Sequence, residues 1–205
     1  MHTISDYQPS DEPSWLRCRL LTFFATDYYD HIVRTRPTFE HPSIRLVARD
    51  DDAVVGLIDV EIFGKSATID CIAVHPDQQR TGLGTALLHE AIERLPADVG
   101  TLDAWTREDV VANRWYRTRG FAEGHRYLHV YKGAQDPTDG FAAPAGLSGP
   151  ITAFLHAPIA EEERLRATFE RVYVCRQYIK DLHRGGHGHV RVHRSACHRV
   201  GSPWM

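Results

Sequence analysis

The sequence predicts a mixed α/β protein in which helices pack on a central sheet. Three observations carry that expectation. Strand-like and helix-like runs alternate along the first 132 residues. Tight-turn residues, Arg49-Asp50-Asp51-Asp52 and Gly64-Lys65, separate neighbouring strand-like runs, as hairpins require. Finally, the apolar run Ile69-Asp70-Cys71-Ile72-Ala73-Val74 passes through His75-Pro76-Asp77 into a glycine turn, and that turn opens a helical pattern.

In chain order, residues 2–8 read as a first strand. Pro9 to Ser14 carries turn and cap chemistry, with Ser14 the expected helix N-cap. Residues 15–33 follow with Leu16, Leu20, Phe23, Phe24 and Tyr28 at helical spacing. A loop holding Pro37 and Pro42 leads to strands expected at 44–48, 54–63 and 67–74. A helix is expected at 82–95, ended by Pro96, then a strand at 101–105, a helix at 108–118 stopped by Gly120, and a strand at 125–131. These elements form the expected core, residues 1–132. Residues 133–150, rich in Gly, Pro, Ala and Asp, read as a linker or surface loop. Residues 151–181 read as an extension that docks on the core, with a helix at 159–171 and a strand at 172–179 beside the 125–131 strand. Residues 182–205, with several His and Arg and no periodic apolar pattern, read as a disordered tail. No internal repeat is found.

Bulk properties narrow the function classes. A chain of 205 residues can bury a full core. A net charge of −3 implies no general affinity for nucleic acid. No apolar run approaches membrane-spanning length and the N-terminus has no signal-peptide pattern, so the expectation is a cytoplasmic protein. The scattered cysteines, Cys18, Cys71, Cys175 and Cys197, read as free thiols in a reducing compartment. His187 and His189 lie on a segment with no scaffold, and no metal site is expected.

The glycine turn is the most informative stretch. Gln79-Arg80-Thr81-Gly82-Leu83-Gly84 fits Q-x-x-G-x-G and leads into Thr85 and the helix. A strand, a glycine-bearing turn and a helix start make an anion site, because the first helical N–H groups have no intrahelical partner. The run lacks the Lys-Ser/Thr ending of a nucleoside-triphosphate loop. It also lacks the third glycine of a dinucleotide turn, where Leu87 stands. Downstream, Asn113-Arg114-Trp115-Tyr116-Arg117-Thr118-Arg119-Gly120-Phe121 has the form N-x-x-Y-x-x-x-G-F. With both motifs in this order, the chain resembles the GNAT superfamily of N-acetyltransferases over about residues 44–132. The resemblance implies a GNAT-like, largely antiparallel central sheet flanked by helices, and acetyl-CoA as co-substrate.

It further implies main-chain contacts from Gln79, Arg80, Thr81, Gly82, Leu83, Gly84 and Thr85 to the pyrophosphate. The pantetheine arm would add to a splayed strand at Ile72, Ala73 and Val74, with Asn113 beside it. Tyr116 would protonate the leaving thiolate, which a phenol of pKa about 10 can do. The acceptor amine must lose a proton. The family often places a Glu where this chain has Thr68, so a direct carry-over fails. Asp70 and Glu61 are the candidate bases, and Asp59, which shares a strand face with Glu61, is a candidate substrate contact. The resemblance puts the acceptor beside the first helix, where Asp27 and Tyr28, with Tyr29 and Asp30, interleave acids and aromatics.

The expected activity is acetyl transfer to a primary amine of a small molecule, such as a polyamine, an amino-sugar or peptide antibiotic, or a metabolite amine. Alternatives are acetylation of a protein lysine or N-terminal amine, or a non-catalytic acyl-CoA-binding or sensing module. No nucleic acid or membrane partner is expected. Exposed sheet edges leave a homodimer possible.

Overall fold

A computed structural model describes residues 2–183. Its eight strands form one sheet in the order β1-β2-β3-β4-β5-β8-β6-β7. The first half is a meander: β1 (Thr3–Asp6), β2 (Ser43–Asp50), β3 (Ala53–Phe63) and β4 (Ser66–Val74), paired antiparallel in turn. β5 (Thr101–Thr106) lies parallel to β4, and its other edge pairs with β8 (Arg171–Asp181). β6 (Ala122–Lys132) pairs with the far side of β8, and β7 (Ala153–Pro158) forms the edge. Thus β8 stands beside β6 as expected, and it also separates β6 from β5. The sheet is mixed and largely antiparallel, as the resemblance implied.

Helix α1 (Glu12–Phe24) covers one face, burying Trp15 and Cys18 against Val47, Leu57, Cys71 and Ala73. It begins earlier than Ser14, after a 3₁₀ turn at Pro9–Asp11. Pro13 sits in the first turn, where a missing N–H costs nothing. The Ser14 hydroxyl instead accepts the Val54 N–H at 2.8 Å. The helix also ends at Phe24, well short of residue 33. Thr26 Oγ1 donates to Phe23 O and accepts from Tyr28 N, so a side chain takes over the backbone partners.

Helices α2 (Leu83–Glu93) and α3 (Val110–Thr118) cover the opposite face. Leu83, Leu87, Leu88 and Tyr116 join Ile58, Val60, Ala67, Ile69, Leu102, Ala104 and Tyr178 there. Gly56 permits the close approach of α2, since a Cβ would lie 2.9 Å from Leu87 Cδ1. Helix α4 (Glu162–Thr168) is shorter than expected and packs Leu165 on Leu128, Val130, Val172 and Val174. β7 was not foreseen. It is an edge strand with mostly exposed residues, so no buried face imprints an alternating pattern. Residues 133–152 form no helix or strand. The buried Lys132 ammonium gathers this loop by donating to the carbonyls of Gly133, Asp136 and Ile151. The three described cysteines are buried and unbridged. The tail with His187 and His189 lies outside the described residues. No described helix is long and apolar enough to cross a membrane.

Candidate active site

Strand β4 changes character halfway along. Its register with β5 runs from Ser66↔Thr101 to Ile69↔Ala104 and stops. At the same point its register with β3 shifts from Val60↔Ile69 to Asp59↔Cys71, leaving Asp70 as the extra residue of a bulge. Beyond it, β4 keeps β3 on one side and has no β5 residue in register on the other. His75 donates its N–H to Val55 O, which sets the alternation of the ladder. That alternation commits the main chain of Ala73 to Leu57 and turns Ile72 and Val74 toward the gap. Ala73, expected as a cofactor contact, is therefore corrected: its main chain serves the sheet and its side chain is buried under α1. The Val74 carbonyl is met by two side chains, Thr22 Oγ1 at 2.9 Å and Gln79 Nε2 at 3.1 Å.

The gap leads to the N-terminus of α2. Gly82 is the N-cap residue with φ of 91°, which favours glycine, and no side chain caps the helix. Thr85 and Ala86 donate to Gly82 O, while the N–H groups of Leu83 and Gly84 have no intrahelical acceptor. The first turn carries no acid. Arg80, next to the turn, holds φ of 64°, a left-handed conformation rare for a residue with a side chain. Thr81 ties the turn by donating to Gln78 O. Orphan N–H groups and the helix dipole suit an anionic group here.

Tyr116 is buried on the α2–α3 side of the sheet, in the main core. Its ring stacks on Tyr178 at 5.3 Å and meets the edges of Trp115 and Phe121. Burial raises its hydroxyl well above the usual phenol value, and the charges of Cys71 and Asp103 add to that. The phenol is thus protonated at neutral pH and available as a donor. Asn113 does not fit the expected cofactor contact. Its amide donates to Arg107 O at 2.6 Å and Asp109 O at 2.7 Å, and its carbonyl accepts from Tyr178 Oη at 2.9 Å. It holds the start of α3 and the ring on which Tyr116 stacks.

The expected carboxylates separate into different environments. Asp59 is 1% exposed and paired with the buried Arg36 at 2.5 Å, so it is corrected from substrate contact to core ion pair. Desolvation raises its carboxyl to about 6 against the pull of Arg36. Glu61 accepts from both the backbone N–H and the Nδ1 of His41, which anchors the loop before β2. Asp70 is solvent-exposed at the bulge, and its carboxyl is raised by surrounding protein, with Arg19 opposing and Glu61 assisting.

Asp103 was missed. It sits opposite Thr68 in the β4–β5 register and accepts Thr68 Oγ1 at 2.5 Å and the Gln177 amide. Its neighbours Leu102 and Ala104 face α2, so Asp103 faces the α1 side with Trp105. The alternating run Thr101-Leu102-Asp103-Ala104-Trp105 holds the signal that could have found it.

Asp27 lines an open pocket of about 460 Å³ with Glu108, Asp109, Glu170, Arg166 and Arg171. Desolvation raises its carboxyl, and Asp109 and Glu108 raise it further. Tyr28, expected as a substrate contact, also supports Arg107. Its hydroxyl accepts the Arg107 N–H, and its ring lies 4.1 Å under the Arg107 guanidinium. Arg107, 4% exposed, was not foreseen; it also bonds Asp27 O, His129 Nδ1 and Tyr131 Oη. No group of residues suited to hold a metal occurs among the described residues.

A half-paired strand thus runs into an uncapped helix start, with a buried phenol on the α2–α3 side of the same sheet. The sequence profile of the acetyltransferase (GNAT) family matches residues 3–121, and the chain belongs to that family. A mycothiol acetyltransferase of Sanguibacter keddieii is 28% identical over 95 residues, covering 42% of this chain and 30% of its own. An uncharacterized N-acetyltransferase of Porphyra purpurea is 37% identical over 59 residues, covering 28% of this chain and 33% of its own. The chain thus spans about a third of the length of these curated relatives. Among solved structures, the ribosomal-protein-S18-alanine N-acetyltransferase of Escherichia coli matches with a TM-score of 0.56 and 19% identity, covering 93% of this chain and 100% of its own. The PaiA N-acetyltransferase of Thermoplasma acidophilum, in complex with coenzyme A, matches with a TM-score of 0.51 and 13% identity, over 60% and 91% of the two chains. These structural likenesses establish the shared fold.

Proposed function

We propose that this protein transfers the acetyl group of acetyl-CoA to a primary amine of a small cationic molecule by direct attack on the thioester. The carrying observation is the half-paired β4, which leaves Ile72 and Val74 facing a gap that ends at the uncapped start of α2. The pyrophosphate would lie on the N–H groups at Leu83 and Gly84, and the pantetheine arm along Ile72 and Val74. Tyr116, still protonated at neutral pH, would supply the proton that the leaving thiolate needs.

A small cation is favoured by the opposite face. Asp103 lies there next to the end of the β4–β5 ladder, with Trp105 on the same face of β5 and packed edge to face on Tyr127 at 5.4 Å. Carboxylates beside aromatic rings attract an ammonium group.

The test is release of the CoA thiol from acetyl-CoA by purified protein across polyamines, amino-sugar and lysine-bearing antibiotics, amino acids and short peptides. Turnover with compact cations is the expected result. Turnover with peptides alone would move the assignment to a protein or peptide acceptor. Tight acetyl-CoA binding with no turnover would favour a non-catalytic acyl-CoA module, and absence of binding would sink the assignment.

A further inference from the structure

We infer that Asp103 is the general base that receives the acceptor's proton, with Thr68 and Gln177 orienting its carboxylate. This rests on the acetyltransferase reading and names the group that completes it. Three observations converge on Asp103. It lies on β5 at the last part of the ladder before the sheet opens, one residue from the final pair Ile69↔Ala104. Its two oxygens are held separately, Oδ1 by Thr68 Oγ1 and Oδ2 by Gln177 Nε2, from the strands on either side. Each carboxylate oxygen has a second lone pair, so the two donors fix the group without using up its capacity to accept.

The third observation is its relation to Tyr116. Asp103 is close enough to raise the Tyr116 hydroxyl, yet the two side chains stand on opposite faces of the sheet. A thioester threaded through the gap would meet the phenol on one side and the carboxylate on the other. Direct attack needs a base at the incoming amine and an acid at the leaving sulfur, and a carboxylate and a phenol on different faces can serve the two atoms without exchanging a proton with each other. The other acids are less well placed. Asp59 is bound to Arg36, Glu61 is bound to His41, and Asp70 has Arg19 for its counter-charge.

The proton inventory closes. The acceptor ammonium gives one proton to Asp103, which passes it to water. The amine lone pair forms the N–C bond as the C–S bond breaks. Tyr116 donates its proton to the departing sulfur. The second proton, shed by the new amide nitrogen, returns to the tyrosinate through solvent.

The experiment compares wild type, Asp103→Asn and Asp70→Asn with the best alkylamine of the panel and with hydroxylamine, which is already neutral in the assay. Acetyl-CoA affinity and melting temperature are measured alongside. Asp103→Asn should lower kcat for the alkylamine by about 100-fold. It should lower turnover of hydroxylamine much less, and leave acetyl-CoA affinity unchanged. An equal loss with both nucleophiles would mean that Asp103 only supports the site, which overturns the inference. Loss confined to Asp70→Asn would overturn it in favour of Asp70. Thr68→Val should give an intermediate loss with the same preference for hydroxylamine; no loss would remove Thr68 from the orienting role. A wild-type protein that turns over no amine would remove the acetyltransferase reading and its base together.

Discussion

The two halves of β4 are built from similar residues and meet different fates. From Ser66 to Ile69 the strand is paired on both edges, and Ala67 and Ile69 are buried in the main core. From Asp70 to Val74 one edge is open, and side chains from other elements take the place of a strand. The difference begins at one inserted residue. The bulge at Asp70 also exchanges faces: Ala67 and Ile69 pack toward α2, while Cys71 and Ala73 pack toward α1. A sheet can therefore present an unpaired main-chain edge at its centre, where both flanking strands stay anchored.

The sharpest way to break the comparison is at Tyr116, whose ring packs in the core that holds the closed half and whose hydroxyl is assigned to the open one. Tyr116→Phe keeps the stacking on Tyr178 and removes the proton donor. Turnover should fall about 100-fold, within the usual range for one acid–base group. Acetyl-CoA affinity and melting temperature should stay near wild type. Unchanged turnover would take the proton transfer away from this residue.

The other side of the sheet offers a contrast through pH. His129 is buried beside Arg107, whose Nε donates to His129 Nδ1, while His129 Nε2 meets Tyr127 Oη. Burial first, then Arg107 and His156, hold its pKa down to about 3. The unfolded chain binds that proton near pH 6.5, so stability should fall as pH drops from about 6.5 toward 3. Asp59 works in the opposite sense, because its raised value favours proton uptake by the folded state between about 4 and 6. The difference in melting temperature between wild type and His129→Gln isolates the histidine: it should shrink steadily on acidification. A difference independent of pH would mean that His129 is not held neutral.

The helix start should be less sensitive. Gly82 has a positive φ, and a Cβ placed there would have nothing within 4 Å. Gly82→Ala therefore carries a backbone penalty of about 1 kcal/mol without a steric clash in the protein. Acetyl-CoA affinity should drop about tenfold if the turn must keep its shape to bind. A loss of thermal stability with unchanged affinity would separate the turn from the anion site.

How much of this was legible follows from the kind of signal each part leaves. The glycine turn, the helix after it and Tyr116 are local patterns, and sequence reading reaches them. The meander is marked by its turns. The insertion of β8 between β5 and β6 is a long-range pairing with no local mark. Asp103 needs that same knowledge, since its partners Thr68 and Gln177 come from two different strands. Asp59 and Asn113 carry the right chemistry at the right spacing, and what disqualifies them is a tertiary partner: Arg36 for one, Tyr178 and two loop carbonyls for the other. The early end of α1 was visible in principle, because Thr26 is a residue type that competes for backbone groups.

The smallest expected effect tests how the open half is sustained without a strand beside it. Thr22 Oγ1 lies 2.8 Å from Cys18 O and 2.9 Å from Val74 O, so its single proton is shared between a helical carbonyl and a sheet carbonyl. Cys18 O can also serve the helix, and Val74 O keeps the Gln79 amide at 3.1 Å. Thr22→Val thus removes one donor from groups that each retain another, and should cost about 0.5–1 kcal/mol rather than the full penalty of an orphaned carbonyl. Gln79→Ala alone should cost about as little, because Thr22 remains. The double variant leaves Val74 O with no protein donor, and its cost should exceed the sum of the two. Bound acetyl-CoA should narrow that excess if the pantetheine arm donates to the same carbonyl. Strict additivity, with and without acetyl-CoA, would show that water satisfies Val74 as well as either side chain does.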